Sequence, residues 1–168
     1  MAPPFVLPDL FDANEGVIVA ADPLFKSFGG ESAFCGPIRT IKCFEDNSLV
    51  AERVREQGDG AGLVVDGGGS MRCALLGDNL AAAAIENGWA GVVINGCLRD
   101  VDEVGAMALG VQALAAHPQR SVKQGGGERD CVVRFAGLSF APDAWLYADR
   151  NGIGVAPVQL ALSDLQDA

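Results

Sequence analysis

The chain has 168 residues, of which 49% are hydrophobic, and its 12 Lys and Arg against 22 Asp and Glu leave a net charge of -10. That length and composition suit one packed domain spanning residues 1–168 rather than two domains or a disordered tail. The charge repels a phosphate backbone, which argues against direct nucleic-acid binding, and no apolar run approaches the roughly 20 residues of a membrane span.

A short helix is predicted near Pro8 to Asn14, followed by extended segments at Val17 to Ala20 and Ile38 to Phe44. Asn47 is placed to cap a helix running to about Gln57, with Gly58 ending it. Gly62-Leu63-Val64-Val65-Asp66 reads as a buried strand that stops at Gly67-Gly68-Gly69. Gly77-Asp78-Asn79 opens a helix through Leu80 and the following alanines to Gly88, and Gly91 to Ile94 is a second buried strand. Arg99-Asp100 then lead into a short helix, and this β-α-β alternation predicts parallel strands joined by a right-handed crossover. Beyond Gly110, strands near 111–115, 131–135 and 138–140 and a hairpin at Asn151-Gly152 predict a mostly antiparallel half. Residues 119–130, with Gly125-Gly126-Gly127, read as a mobile loop. The expected class is therefore α/β, with a βαβ core and antiparallel C-terminal strands.

The titratable residues restrict the chemistry. Five scattered cysteines form no CxxC pair, so neither a disulfide framework nor a zinc cluster is indicated, and a reducing cytoplasm is the expected compartment. The N-terminus has no charged leader before an apolar segment, so an unexported chain is expected. With His117 as the single histidine, triads and two-histidine metal sites are hard to build. Three groups remain as candidates. The glycine turn after Asp66 looks superficially like a nucleotide loop but lacks both GxGxxG spacing and GK[ST], and a tight turn explains it more simply. Asp78 either caps its helix or sits at a helix end whose free N–H groups hold a substrate carboxylate. Arg99-Asp100, read alone, is a solvated pair. Because these two loops follow successive parts of one βαβ unit, both can emerge at the same end of the sheet, where α/β ligand sites gather.

Phe28-Gly29-Gly30, Ile41 to Asn47, Val64 to Gly69, Gly77-Asp78, Gly88 to Gly91, Gly96 to Asp100 and Tyr147 to Asp149 together resemble the family of regulator of ribonuclease activity A, over almost the whole chain. Asp78, twenty residues and then Arg99-Asp100 is similar to the pattern of that family's class II 4-hydroxy-4-methyl-2-oxoglutarate aldolases. The resemblance implies a swivelling β/β/α sandwich assembled as a homotrimer or a hexamer, with a neighbouring subunit adding C-terminal contacts that no residue of this sequence is assigned. It also implies a divalent-metal site for Mg²⁺ or Mn²⁺, which keep waters and let a substrate complete the shell. In that reading Asp100 binds the metal directly and Asp78 through water, Arg99 contacts a small 2-keto acid, and the backbone of Gly77, Asp78, Asn79 and Leu80 receives its carboxylate. Arg99 and Asp78 are then the catalytic pair, cleaving a 4-hydroxy-2-keto diacid to pyruvate with oxaloacetate decarboxylation as a second activity. A Schiff-base route is disfavoured because none of Lys26, Lys42 and Lys123 falls in an evident site. The same family includes inhibitors of ribonuclease E, so a protein-binding regulator is the alternative.

Overall fold

The apolar run Gly62–Asp66 forms the buried strand expected of it and lies inside a mixed sheet, in a computed structural model that describes residues 4–162. In chain order the elements are α1 (Leu7–Ala13), β1 (Val19–Ala20), β2 (Lys26–Ser27), β3 (Phe34–Lys42), α2 (Ser48–Arg53), β4 (Gly62–Asp66), β5 (Ala74–Leu76), α3 (Asp78–Glu86), β6 (Gly91–Leu98), α4 (Val101–Gly105), β7 (Gly110–Ala116), β8 (Glu128–Arg129), β9 (Val133–Phe135), β10 (Leu138–Phe140), β11 (Trp145–Asp149) and β12 (Gly152–Ala156). The main sheet runs β1-β12-β11-β3-β4-β6-β7-β2, with β5 beside β6 and β8 beside β3, while β9 and β10 form a separate hairpin.

The centre of the sheet is parallel and its flanks are antiparallel. β3, β4, β6 and β7 pair in parallel, whereas β11 and β12 continue the sheet antiparallel from the first half of β3. This corrects the expectation that the pattern turns antiparallel at Gly110: α4 carries the chain back over the sheet, so β7 adds to β6 as another crossover strand. β5 was absent from the sequence reading, since three residues are too few to show a period. α2 also stops at Arg53 rather than near Gln57.

The central strands are apolar throughout because both of their faces are covered. Leu63, Val65, Val92 and Ile94 pack under the helices against Ala81, Ala84 and Val104. Val64 and Val93 point the other way, into a cluster with Phe34, Phe135, Phe140 and Leu146. The Phe34 ring lies so close over β6 and β7 that a Cβ on Gly110 would fall within it, and one on Gly91 would press into the same ring. Gly110→Ala is therefore expected to destabilise the fold by about 1–3 kcal/mol through overpacking, read as a lower denaturation midpoint at unchanged slope.

Candidate functional site

Parallel pairing brings the two predicted loops together. Leu76 at the end of β5 lies opposite Leu98 at the end of β6, so Gly77-Asp78 and Arg99-Asp100 leave the sheet side by side. Asp78 thus follows β5, a strand inserted between β4 and α3, rather than β4 itself. Asp100 adopts a left-handed backbone, φ 58° and ψ 46°, which Asp tolerates better than most residues. That turn carries its carboxylate back across the loop, and Oδ2 accepts the Asp78 N–H at 3.0 Å.

Gly77 makes this approach feasible. A Cβ there would stand 2.6 Å from Asp100 Oδ2, so any side chain would displace that carboxylate, while its 3.5 Å to Arg99 Cγ is ordinary contact. Gly77, not Asp78, is the N-cap of α3, and Asp78 is the first helical residue, its Oδ1 accepting the Asn79 N–H at 2.8 Å. The helix end therefore already holds carboxylates, those of the protein itself. Of the four N–H groups expected to receive a substrate carboxylate, those of Asp78 and Asn79 are engaged, and those of Gly77 and Leu80 have no acceptor among the described residues.

These loops form one wall of a cleft of about 770 Å³. The 119–124 segment lines it too, bringing Arg120 and Lys123, and Arg55 and Asn47 come from the turns just after and just before α2. Arg55, Arg99, Arg120 and Lys123 have no ion-pair partner among the described residues, although Arg39, Arg53, Arg72 and Arg129 elsewhere all do. Against Asp78 and Asp100, four unpaired cations give the cleft an excess of positive charge in a protein of net charge -10. Arg99 as a whole is half-buried, and the one protein hydrogen bond of its guanidinium is a long, exposed 3.5 Å contact to Pro118 O.

The sequence reading missed Lys123 and its setting. Its Nζ donates to Asn47 Oδ1 at 2.7 Å, and Asn47 Nδ2 donates to Leu75 O at 3.1 Å. Asn47 makes no side-chain cap for α2. Asp46 does that work instead, its Oδ1 accepting both the N–H and the hydroxyl of Ser48. Four hydrogen bonds, three from backbone N–H groups and one from the Ser48 hydroxyl, hold the Asp46 carboxyl down to about 2 against the pull of its burial. The resemblance motif Ile41 to Asn47 held this information, but only the fold shows what it faces. His117 lies in an adjacent depression with Met71, Arg72 and Cys73, where its Nδ1 accepts the Gln119 N–H. The glycine turn is no cradle, because its N–H groups are used internally: Gly67 and Gly69 donate to Asn95 O, and Gly68 to Asp66 Oδ1.

As a metal site, the cleft offers hard carboxylate oxygens from Asp78 and Asp100, and no group of three or more His, Cys, Asp or Glu gathers among the described residues. That donor set fits an ion that retains water and takes ligands from its substrate, and it does not fit a closed structural zinc site.

Residues 7–155 match the RraA-like family, described as Aldolase/RraA. The chain belongs to the RraA-like family. A relative from Pseudomonas paraeruginosa, provisionally named a 4-hydroxy-4-methyl-2-oxoglutarate aldolase, is 54% identical over 93% of this chain and 96% of its own. One from Pseudomonas fluorescens with the same provisional name is 51% identical over 95% and 98%. Among solved structures, a protein from Geobacillus kaustophilus described as an S-adenosylmethionine:2-dimethylmenaquinone methyltransferase superposes with a TM-score of 0.91 at 46% identity, covering 93% of this chain and 97% of its own. The RNA-processing inhibitor RraA from Thermus thermophilis gives 0.88 at 45%, covering 92% and 93%. The names carried by these RraA-like proteins thus point to three activities on one fold. The relatives' names support a lyase, and the internally satisfied glycine turn of this chain offers no free N–H groups to a nucleotide-like cofactor.

Proposed function

We propose that this RraA-like protein is a divalent-metal-dependent aldolase cleaving 4-hydroxy-4-methyl-2-oxoglutarate, or a related 4-hydroxy-2-keto diacid, to pyruvate. The observation that carries this reading is the cleft itself: two carboxylates lining it together with four cations that have no ion-pair partner among the described residues. Two carboxylates suit a small hard cation, and unpaired cations suit a substrate with more than one negative charge.

Asp100, with Asp78 acting through water, would hold a Mg²⁺ or Mn²⁺ ion, which would supply Lewis acidity to the keto acid. The remaining work falls to the chain. The N–H groups of Gly77 and Leu80 at the start of α3 are placed to hold the keto-acid carboxylate, assisted by the positive end of the helix. Arg99 lies over Gly77 and offers fixed positive charge to the C2 oxygen, where negative charge grows as the C3–C4 bond breaks. With His117 outside the cleft, the C4 hydroxyl proton passes to water. Loss of CO₂ from oxaloacetate leaves the same enolate, so oxaloacetate decarboxylation follows as a second activity.

Lys123 makes the Schiff-base alternative worth a direct test, since the structure places it in the cleft rather than outside any site. Its ammonium donates to Asn47 and lies at the surface, without the burial that activates a lysine nucleophile. Borohydride added during turnover is therefore expected to leave the protein mass unchanged; a substrate-derived adduct on Lys123 would replace the metal mechanism with a covalent one.

Inhibition of a ribonuclease is the second reading, favoured by the 0.88 superposition on the RNA-processing inhibitor. It needs an outer surface rather than a substrate-sized cleft, so the two functions separate at Arg99. A homotrimeric or hexameric assembly is proposed with either reading, from family membership.

A further inference from the structure

Segment 119–130, expected to be a mobile loop, is fastened along its length. Asp46 is 6% exposed, and while Oδ1 binds Ser48, Oδ2 accepts the N–H groups of Gln124 and Gly126, each at 3.0 Å. Ser48 Oγ accepts the Gly125 N–H at 2.9 Å, so three successive residues of the segment are hydrogen-bonded to the Asp46–Ser48 turn. The Asn47 N–H reaches Ser121 Oγ, and Val122 N–H donates to Glu45 O. At the far end, Arg129 is held by Glu52 and Glu56 on and just beyond α2. The glycines serve this close approach: a Cβ on Gly126 would stand 3.3 Å from Asp46 Oδ2, and Gly127, at φ 113°, passes over Lys42 O.

Asn47 connects this clasp to the site. It is 8% exposed, and its amide spans from Leu75 O, two residues before Gly77, to the ammonium of Lys123 on the cleft wall. A single side chain thus fixes the distance between the strand that delivers Gly77-Asp78 and the cation carried by the segment.

We propose that Asp46 and Asn47 are positioning residues that clasp the 121–126 segment and hold Lys123 at the cleft wall to receive the second carboxylate of a keto diacid. This rests on the cleft binding keto acids by their carboxylate end, as argued above. Acting through Lys123, the pair selects diacids over monoacids and leaves the bond-breaking end to Arg99, Asp78 and Asp100.

The test uses binding rather than turnover. Titration calorimetry with Mg²⁺ present compares 2-oxoglutarate, a keto diacid without the C4 hydroxyl that cleavage needs, with 2-oxobutyrate, which lacks the second carboxylate. The intact protein is expected to prefer 2-oxoglutarate by about tenfold or more, the scale of one charge-assisted hydrogen bond. Asn47→Ala and Asp46→Asn should each erase most of that preference while 2-oxobutyrate binds as before. Hydrogen exchange at Gln124 and Gly126 should quicken in Asp46→Asn, and Lys123→Met should lose the preference with those two amides still protected. Retention of the diacid preference in both clasp variants, or equal weakening toward both ligands, would overturn the proposal. If the intact protein shows the preference and its loss on substitution yet releases no pyruvate, the clasp stands and the aldolase reading fails.

Discussion

Arg99→Ala is expected to lower kcat by roughly 10²-fold or more, because the charge it supplies is needed most where the enolate oxygen develops. Its position supports a role in the reaction rather than in the fold: half-buried, unpaired and with a single long contact to Pro118 O, it stabilises little that its removal would break. Arg99→Lys should recover only part of the rate, since a compact ammonium cannot reproduce the two-point contact of a planar guanidinium with a keto acid. Steady-state pyruvate release gives the rate, and circular dichroism with size-exclusion chromatography confirms an unchanged fold and assembly. If the protein also inhibits a ribonuclease, that inhibition should survive the change, because a protein partner is expected on the outer surface rather than in the cleft. Undiminished turnover by Arg99→Ala would defeat the enzymatic reading of the cleft.

Asp100→Asn is expected to remove metal-dependent turnover almost completely. The amide keeps an oxygen that can still accept the Asp78 N–H, so the loop and the start of α3 should hold, while the charge that binds a cation is gone. Mn²⁺ binding followed by electron paramagnetic resonance should fall in parallel with activity, with unfolding little altered. Asp78→Ala should weaken the metal less, as its contact passes through water, while costing the helix about 1 kcal/mol by losing its bond to the Asn79 N–H. Full activity in Asp100→Asn would remove it as the metal ligand.

The legible parts of this protein were those set by local pattern. Val64, Val93 and their neighbours are apolar without alternation because both sheet faces are covered, and together with the β-α-β alternation that indicated parallel strands with Asp78 and Arg99-Asp100 at one end. The hairpin around Asn151 was equally plain, although its two turn residues are Arg150-Asn151 and Gly152 already pairs with Asp149. What stayed hidden depends on contacts across long separations. β5 is too short for a period, yet it is the strand that sets Gly77 beside Asp100. Asn47 looked like a helix cap because its type and position fit one, but its amide serves Leu75 and Lys123, 28 and 76 residues away. The glycines of the 119–130 segment carried the composition of a loose loop, and their smallness is used to pass close over Asp46 and Lys42. Gly77 is the same case within the site, reading as the opening of a helix while its missing Cβ makes room for the Asp100 carboxylate.

Two carboxylates and the cations around them are proposed to form a metal-assisted keto-acid lyase. The most direct test is pyruvate release from 4-hydroxy-4-methyl-2-oxoglutarate by the purified protein, first stripped with a chelator and then resupplied with Mg²⁺ or Mn²⁺. The stripped protein is expected to show no turnover, with full recovery on adding either ion and the same metal dependence for oxaloacetate. Turnover that persists in the chelator, or no pyruvate from either substrate with metal restored, would contradict the proposal.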